Sequence, residues 1–418
     1  MSDWLERGWR HVWLPYAQMQ TAPLPLPAVR TEGSRIHLAD GRVLIDGVAS
    51  WWTACHGYNH PHIREAVAAQ LDSMPHVMFG GLAHEPAYRL ATRLAGMMPD
   101  GLERVFFTDS GSVAVEVAMK VAVQARLNRG ERGRHKFLAF RDGYHGDTLA
   151  TMAVCDPEEG MHALFAGLLQ EHVIAPLPRD AESEQVFMAL LERHAGELAG
   201  IIVEPLVQGA GGMVFHDDAV LRRLRAAADQ YGLTLIFDEI FTGFGRTGTM
   251  FAFEQAGVVP DIVTLSKALT GGTSPLAATV VHRDLYEAFL GEDPMKALMH
   301  GPTFMANPLG CAAANASLDL FETEDRLGQA RQIEAWLREG LEPCRGLPGV
   351  VDVRVKGAIG VVQLGRIKNP VGLRERFVAR GAWIRPFRDI VYLTPALTIA
   401  QDELARLTGA IRDVLAEG

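Results

Sequence analysis

An acidic residue and a lysine each follow a short apolar run in the second half of the chain. Asp238 closes the run at residues 233–237, and Lys267 follows the run at 261–265 after one intervening serine, Ser266. A lysine can form a Schiff base with an aldehyde, and a carboxylate beside a pyridine nitrogen keeps that nitrogen protonated. Pyridoxal phosphate needs both groups, so the pair predicts chemistry on this cofactor with Asp238 and Lys267 as catalytic residues.

Two buried strands are the elements that have to position these side chains. Residues 233–237 and 261–265 crowd Ile, Val, Leu and Phe together without polar alternation, which is typical of strands covered on both faces. Open α/β sheets bind ligands beyond the carboxyl ends of their strands, where Asp238 and Lys267 would lie. The alternative is that Lys267 is a surface lysine and Asp238 caps a helix. The glycine-rich segment after the acid and the small-residue turn after the lysine count against it.

The order of acid, glycine-rich loop and Ser-Lys pair resembles that of the class-III, fold-type I pyridoxal-phosphate aminotransferases. The resemblance extends over essentially the whole chain of 418 residues, a length that suits two domains better than one. It implies an α/β fold, with a large, mostly parallel α/β/α domain and a smaller α+β domain from both termini. The implied boundaries are residues 1–55 for the N-terminal part of the small domain, 56–324 for the large cofactor-binding domain and 325–418 for the C-terminal part.

A predicted strand, a turn and a predicted helix follow one another around Ser110, Gly111 and Ser112. The amides and hydroxyls of such a turn face outward at a helix N-terminus, where the positive end of the helix dipole favours a phosphate. By itself, a Ser-Gly-Ser turn is at least as often an ordinary helix cap. Its place upstream of the acid and the lysine matches the phosphate site of the family, which favours binding of the cofactor phosphate.

Tyr144 follows a predicted strand at residues 137–140, and an aromatic ring at such a strand end can lie flat on a planar cofactor. The family places an aromatic residue there, over the pyridine ring. Asp147 is a possible partner for a substrate amine, although capping of the next helix is a nearly equal alternative. In the family, the loop that here contains Pro302 and Thr303 reaches across a dimer interface to the neighbour's cofactor phosphate. The resemblance therefore implies a homodimer with shared active sites.

Arginine suits an amino-acid or keto-acid site because its guanidinium holds a carboxylate through two parallel hydrogen bonds. The family has a carboxylate-binding arginine at the position of Arg385, and Arg246 in the glycine-rich loop is the second candidate. Trp51 and Trp52 are adjacent, so in a strand they would point to opposite faces. By resemblance, the residues predicted to bind substrate are Tyr16, Trp51, Trp52, Tyr144, Asp147, Arg246, Gly301 and Arg385.

Four segments narrow the resemblance within the family, namely residues 50–61, 79–81, 109–120 and 300–305. They resemble the branch that transfers the amino group of S-adenosylmethionine to 8-amino-7-oxononanoate in biotin synthesis. An ω-aminotransferase acting on a diamine, lysine or a β-amino acid is an alternative, because it would share every cofactor-binding residue. A decarboxylase, racemase or aminomutase of the same fold is another. A cofactor-binding regulator is a third, although the sequence has no basic DNA-binding extension.

The composition restricts the classes of partner. The formal net charge is −10, the isoelectric point is about 5.8 and no basic run occurs, which disfavours nucleic acid and anionic membranes and favours small-molecule substrates. No stretch has the roughly 18 continuous apolar residues of a membrane span, and the first residues do not resemble a secretory signal. The four cysteines lie far apart without a CxxC pair, so we expect reduced thiols, no metal site and a cytoplasmic location.

Overall fold

The computed structural model describes residues 3–157, 163–165 and 167–417. The described helical segments are α1 (Asp3–Trp9), α2 (Ala49–Trp52), α3 (Pro61–Ser73), α4 (Glu85–Met97), α5 (Gly111–Asn128), α6 (Leu149–Ala153), α7 (Ala181–His194), α8 (Asp218–Tyr231), α9 (Arg283–Glu287), α10 (Pro308–Thr323), α11 (Arg326–Leu341), α12 (Pro370–Ala379) and α13 (Gln401–Ala416). The described strands are β1 (Ala28–Glu32), β2 (Arg35–Leu38), β3 (Val43–Asp46), β4 (Leu102–Thr108), β5 (Lys136–Phe140), β6 (Val173–Ala175), β7 (Leu198–Val203), β8 (Val207–Gln208), β9 (Val214–Phe215), β10 (Thr234–Asp238), β11 (Ile262–Leu265), β12 (Ala277–His282), β13 (Val350–Lys356), β14 (Ile359–Leu364), β15 (Ala382–Trp383) and β16 (Ile390–Leu393).

A seven-stranded sheet forms the centre of the fold, in the order β4-β12-β11-β10-β7-β5-β6. Strands β6, β5, β7, β10 and β11 run parallel, whereas β12 is antiparallel to both of its neighbours. Side chains of α5 pack with Ile202 and Ile236 on one face, and side chains of α8 pack with Val203 and Phe237 on the other. Because successive side chains of a strand point to opposite faces, a sheet covered on both faces needs continuous apolar runs.

The two strands predicted to precede the acid and the lysine are confirmed. β10 ends at Asp238 and β11 ends at Leu265, and the two strands are parallel neighbours. Their carboxyl ends lie at the same edge of the sheet, which brings Asp238 and Lys267 to the same place. The mostly parallel α/β architecture predicted for the large domain is also confirmed.

Two smaller sheets are built from the terminal parts of the chain. In the sheet β1-β2-β3-β15, the C-terminal strand β15 runs parallel to the N-terminal strand β3. The sheet β13-β14-β16 is antiparallel and packs against α11, which also contacts α13. Both termini therefore contribute to the α+β part, as predicted. The boundaries after residues 55 and 324 stay a prediction.

The backbone around Trp51 and Trp52 is a helical turn and not a strand. Residues Ala49–Trp52 form α2, a single left-handed turn with successive φ angles of 45°, 51°, 56° and 72°. Left-handed backbone costs an L-residue roughly 1–2 kcal/mol, so local preference would not choose four such residues in succession. Trp52 is buried and Trp51 is 40% exposed. The two rings do point in different directions, but through a turn and not a strand.

None of the described helices is long and apolar enough to cross a bilayer. Within the same described residues, no group of three His, Cys, Asp or Glu side chains could hold a metal ion. The four cysteines are buried and form no disulfide.

Candidate active site

A cavity of about 160 Å³ opens at the carboxyl edge of the central sheet. Its walls come from the segments that follow β5, β7, β10 and β11, together with α2 and the start of α5. The residues that line it are Trp52, Gly111, Ser112, Tyr144, His145, Gly146, Glu204, Ala210, Asp238, Ile240, Phe241, Ser266 and Lys267. Of the predicted site residues, the cavity brings together Trp52, Gly111, Ser112, Tyr144, Asp238 and Lys267.

Lys267 reaches the cavity from the turn after β11. Its own φ is 46°, and the preceding Ser266 donates a hydrogen bond from Oγ to the Leu276 carbonyl at 2.9 Å. The Lys267 Nζ atom lies 4.5 Å from the centroid of the Trp52 ring. Burial lowers the pKa of Lys267, and nearby carboxylates, first that of Asp238, oppose the shift. A lowered pKa leaves more of the amine unprotonated, which is its nucleophilic form.

The Asp238 carboxylate is 3% exposed and is held from both oxygens. Oδ1 accepts hydrogen bonds from the Ile240 amide and the Thr264 hydroxyl, each at 3.1 Å, and Oδ2 lies 2.8 Å from His145 Nδ1. These contacts fix the orientation of the carboxylate in a buried place, where a charge acts strongly on a neighbouring group. His145 is a site residue that the sequence prediction missed, because nothing in the pattern distinguishes it from its neighbours.

Glu204 is a second buried acid in the cavity, and the sequence prediction missed its role too. Its Oε2 accepts a hydrogen bond from the Tyr144 amide at 3.0 Å, and its Oε1 accepts one from the Gly209 amide at 2.9 Å. Glu204 therefore connects the two loops that follow β5 and β7. Burial raises the pKa of Glu204 to about 7. Glu204 directly follows β7, and this strand-end position is the signal that could have identified it, as it identified Asp238.

The N-terminus of α5 faces the cavity through Gly111 and Ser112. Ser110 caps the helix, since its hydroxyl accepts a hydrogen bond from the Val113 amide at 3.4 Å. Gly146 packs so closely that a Cβ atom built on it would lie 2.0 Å from Ser112 Oγ. The arrangement therefore needs a glycine at this position. The free amides of a helix N-terminus suit an anion such as a phosphate group.

Two tyrosines share the carboxylate of Asp147 beside the cavity. The Tyr16 hydroxyl donates a hydrogen bond to Oδ2 at 2.5 Å, and the Tyr144 hydroxyl donates one to Oδ1 at 2.8 Å. Burial raises the pKa of both tyrosines, so that both phenols remain protonated donors. The group presents an anionic carboxylate between aromatic rings, which suits a substrate amine.

Arg385 stacks on the outer tryptophan of α2. Its guanidinium carbon lies 4.4 Å from the centroid of the Trp51 ring, and Trp51 meets Tyr16 edge to face at 6.4 Å. In the part of the chain that the structure describes, no carboxylate or carbonyl pairs with Arg385. A cation held on an aromatic face without a counter-ion can accept a substrate carboxylate.

Arg246, the second arginine candidate, does not reach the cavity. Its side chain is 2% exposed, and its Nη1 atom donates hydrogen bonds to the carbonyls of Ala358 at 3.1 Å and Pro395 at 2.8 Å. These contacts connect the glycine-rich loop to the C-terminal part of the chain. The structure therefore shows a structural role for Arg246, and its contact with substrate stays a prediction.

The loop of Gly301, Pro302 and Thr303 is not among the segments that line the cavity. Gly301 and Thr303 are exposed. Their contact with the cofactor or substrate of a neighbouring subunit stays a prediction.

Comparison with known proteins assigns the family. The model of the family described as Aminotransferase class-III matches residues 16–415. The chain belongs to the class-III aminotransferases. The adenosylmethionine-8-amino-7-oxononanoate aminotransferase of Mycobacterium leprae is 46% identical to this class-III aminotransferase over 413 residues, which cover 97% of this chain and 94% of the relative.

Two solved structures are similar to this class-III aminotransferase over nearly their whole length. The adenosylmethionine-8-amino-7-oxononanoate aminotransferase from Methanocaldococcus jannaschii has 32% identity and a TM-score of 0.93, covering 99% of this chain and 98% of that chain. An (S)-enantioselective ω-transaminase from Thermomicrobium roseum has 30% identity and a TM-score of 0.93, covering 99% and 97%. The predicted family and fold type are confirmed.

Class-III aminotransferases depend on pyridoxal phosphate, and the groups around the cavity fit that cofactor. The N-terminus of α5 suits its phosphate, the buried carboxylate of Asp238 suits its ring nitrogen, and the Lys267 amine suits its aldehyde. All three groups come from different segments and meet at one cavity.

Proposed function

We propose that this aminotransferase transfers the amino group of S-adenosylmethionine to 8-amino-7-oxononanoate, giving 7,8-diaminononanoate for biotin synthesis, with pyridoxal 5'-phosphate as cofactor. The observation that carries the proposal is the stacking of Arg385 on Trp51 beside the Tyr16–Tyr144–Asp147 group. Both substrates carry a carboxylate and an amine, and one cavity has to accept them in turn. The names of the M. leprae and M. jannaschii relatives support the choice of substrates, and the composition supports a cytoplasmic location.

In this proposal, four groups of the chain act on the cofactor. Bound pyridoxal phosphate supplies an aldehyde and a ring that withdraws electrons from the substrate carbon. Lys267 would hold the aldehyde through Nζ, and its free amine would move the proton at the substrate carbon. Asp238 keeps the ring nitrogen protonated, Ser110, Gly111 and Ser112 bind the phosphate, and the Tyr144 ring stacks on the cofactor.

The same proposal assigns the substrate contacts. Arg385 binds the substrate carboxylate, and the Trp51 ring stacks against the guanidinium. Asp147, oriented by Tyr16, binds the amino group that 8-amino-7-oxononanoate already carries and that is not transferred. Trp52 forms one wall of the substrate site, and the Gly301 loop of the neighbouring subunit completes it. The aromatic surfaces exclude water and fit two different substrates, because they bind by shape and not through many directed hydrogen bonds.

A covalent trapping experiment tests the assignment of Lys267. Borohydride reduction of the loaded enzyme should fix the cofactor on a peptide that contains Lys267, and Lys267→Ala should neither trap it nor turn over. A label on another lysine, or normal turnover by Lys267→Ala, would reject the assignment.

A donor screen tests the proposed reaction against the second candidate, a general ω-aminotransferase, which the similarity to the T. roseum enzyme favours. S-adenosylmethionine, lysine, a diamine and a simple chiral amine are each mixed with the loaded enzyme, and the cofactor absorbance is followed. We expect S-adenosylmethionine to react fastest and 8-amino-7-oxononanoate to restore the starting spectrum. A preference for lysine, the diamine or the chiral amine would reject the proposed donor.

We also propose that the enzyme is a homodimer in which Pro302 and Thr303 of one subunit complete the phosphate site of the other. The exposure of Thr303 outside its own cavity supports this, as does the exposed Phe304 side chain beside it. A closed two-fold dimer would contain two such shared sites.

The dimer proposal is tested by mixing two inactive variants, Lys267→Ala and Thr303→Glu, by unfolding and refolding them together. With a shared site, one pocket of each mixed dimer carries both lesions and the other carries none, so activity returns. If Thr303 serves its own chain, every mixed pocket carries one lesion. No recovery despite proven mixed dimers would then contradict the proposal.

A further inference from the structure

The left-handed turn α2 is held by one buried carboxylate, that of Asp46. Its Oδ1 accepts a hydrogen bond from the Val48 amide at 2.8 Å, and its Oδ2 accepts one from the Ser50 amide at 2.8 Å and one from the Tyr58 hydroxyl at 2.6 Å. Asp46 is 1% exposed, and no cationic side chain of the described residues pairs with it. Burial raises the pKa of Asp46, and the three hydrogen bonds oppose that shift. The turn amides therefore take the place of a counter-ion.

The conformation of the turn determines where the two tryptophan rings lie. Trp52 lies inward, with its ring centroid 4.4 Å from that of Phe241 and 4.5 Å from Lys267 Nζ. Trp51 lies outward, under the Arg385 guanidinium. Positive φ angles at residues other than glycine persist only where the surrounding structure enforces them, and such residues cluster at functional sites. Here, the enforcing contacts converge on Asp46.

The same strand ends position the guanidinium and the ring beneath it. β3 ends at Asp46 and pairs with β15, so that Asp46 lies opposite Trp383. The Gly47 amide donates a hydrogen bond to the Trp383 carbonyl at 3.0 Å. Arg385 follows two residues after Trp383. A shift of the turn away from Asp46 would therefore move Trp51 relative to Arg385 while the strand pair stays in place.

We propose that Asp46 is a positioning residue for the acceptor site, which fixes the Trp51 ring under Arg385 and thereby sets the selectivity for acceptors that carry a carboxylate. The inference rests on the proposed function, because it needs the acceptor carboxylate at Arg385. A guanidinium that already lies on a ring loses less freedom when it binds a carboxylate, which favours binding. Asp46 touches no substrate and acts only through the turn.

The variant that tests the role is Asp46→Asn, which keeps the size of the side chain. An asparagine has one acceptor oxygen and an NH₂ group that only donates. One of the two turn amides, of Val48 or Ser50, would therefore face a donor and lose its acceptor. Tyr58→Phe is the matched control, because it removes one hydrogen bond from the same carboxylate and leaves both turn amides in place.

The measured quantity is the ratio of kcat/KM for 8-amino-7-oxononanoate to kcat/KM for its methyl ester. The ratio cancels changes in the amount of folded or loaded enzyme, which affect both acceptors equally. Arg385→Ala should bring the ratio close to one. Asp46→Asn should lower it at least about tenfold, as expected when a charge-assisted contact is weakened, while Tyr58→Phe leaves it within about twofold.

A rescue variant separates positioning from general damage. Glycine adopts positive φ without steric penalty, so Ser50→Gly added to Asp46→Asn should raise the ratio again. Should Asp46→Asn fail to fold, Trp51→Leu tests the same idea, because removal of the ring under Arg385 should lower the ratio by a similar factor.

The outcomes distinguish this inference from the proposed function. A wild-type ratio near one that Arg385→Ala does not change would overturn the carboxylate site, and this inference with it. A normal response to Arg385→Ala, combined with an unchanged ratio in Asp46→Asn or in Trp51→Leu, would overturn the role of Asp46 alone. Equal losses in Asp46→Asn and Tyr58→Phe would also overturn it.

Discussion

Replacement of Gly146 by alanine should weaken cofactor binding indirectly, because the new methyl group would displace Ser112. Gly146 has a φ of 130°, and a Cβ atom built on it would lie 2.0 Å from Ser112 Oγ, 2.6 Å from Ser112 Cβ and 3.0 Å from Ser112 Cα. No side-chain rotation relieves all three contacts, because one of them is to the backbone. Ser112, at the N-terminus of α5, therefore has to move.

The size of the effect follows from the contact that Ser112 would lose. A hydrogen bond to a charged group contributes about 1.5–3 kcal/mol, and about 1.4 kcal/mol corresponds to a tenfold change in affinity. Loss of the Ser112 contact to the cofactor phosphate should therefore raise the dissociation constant of pyridoxal phosphate roughly 10- to 150-fold. Alanine at positive φ adds strain of roughly 1–2 kcal/mol, which lowers the stability of the fold.

Gly133→Ala is the matched control, because Gly133 has a φ of 96° but no atom within 4 Å of its built Cβ position. Gly133→Ala therefore introduces the strain of an alanine at positive φ but no contact with Ser112. Titration of the cofactor-free protein with pyridoxal phosphate gives the dissociation constants, and thermal unfolding compares the stabilities. We expect both variants to lose stability and only Gly146→Ala to lose affinity. Equal affinities of the two variants would refute the reasoning.

Three further predictions concern buried charges. Asp238→Asn should slow each half-reaction at least ~100-fold, because a buried charge that acts on the reacting group is lost; a wild-type rate would exclude that role. Burial raises the pKa of Glu239 from 4.5 in the unfolded chain to about 7 in the folded protein. The proton that the folded protein retains stabilises the fold fully below pH 4.5, and this stabilisation is lost as the pH rises through about 7. Glu239→Gln should therefore flatten the fall of unfolding free energy between about pH 4.5 and 7, measured in urea; an unchanged slope would contradict the shift. Arg246→Met leaves two buried carbonyls without a donor and should destabilise the fold by about 2–4 kcal/mol with an unchanged acceptor KM; a raised KM at normal stability would return Arg246 to the substrate site.

Local patterns in the sequence were enough to predict two buried strands with Asp238 and Lys267 at their carboxyl ends, whereas the fold class came from the resemblance to the family. The apolar runs of β10 and β11 identify strands covered on both faces, and ligands of such sheets bind at the strand ends. Asp238 and Lys267 follow from that rule. The cap at Ser110 follows from the polar turn before a regular helical pattern. Glu204, which directly follows β7, obeys the same rule.

The conformation of α2, the partners of Arg246 and the pairing of His145 with Asp238 depend on tertiary packing. Local preference opposes the left-handed turn, whereas the buried carboxylate of Asp46 accepts hydrogen bonds from two of its amides. The two carbonyls that Arg246 reaches are 112 and 149 residues away in the chain, and His145 is 93 residues from Asp238. Such contacts depend on how distant segments pack. A side chain's role in them is therefore set by the burial and the partners that folding creates, which no local pattern contains.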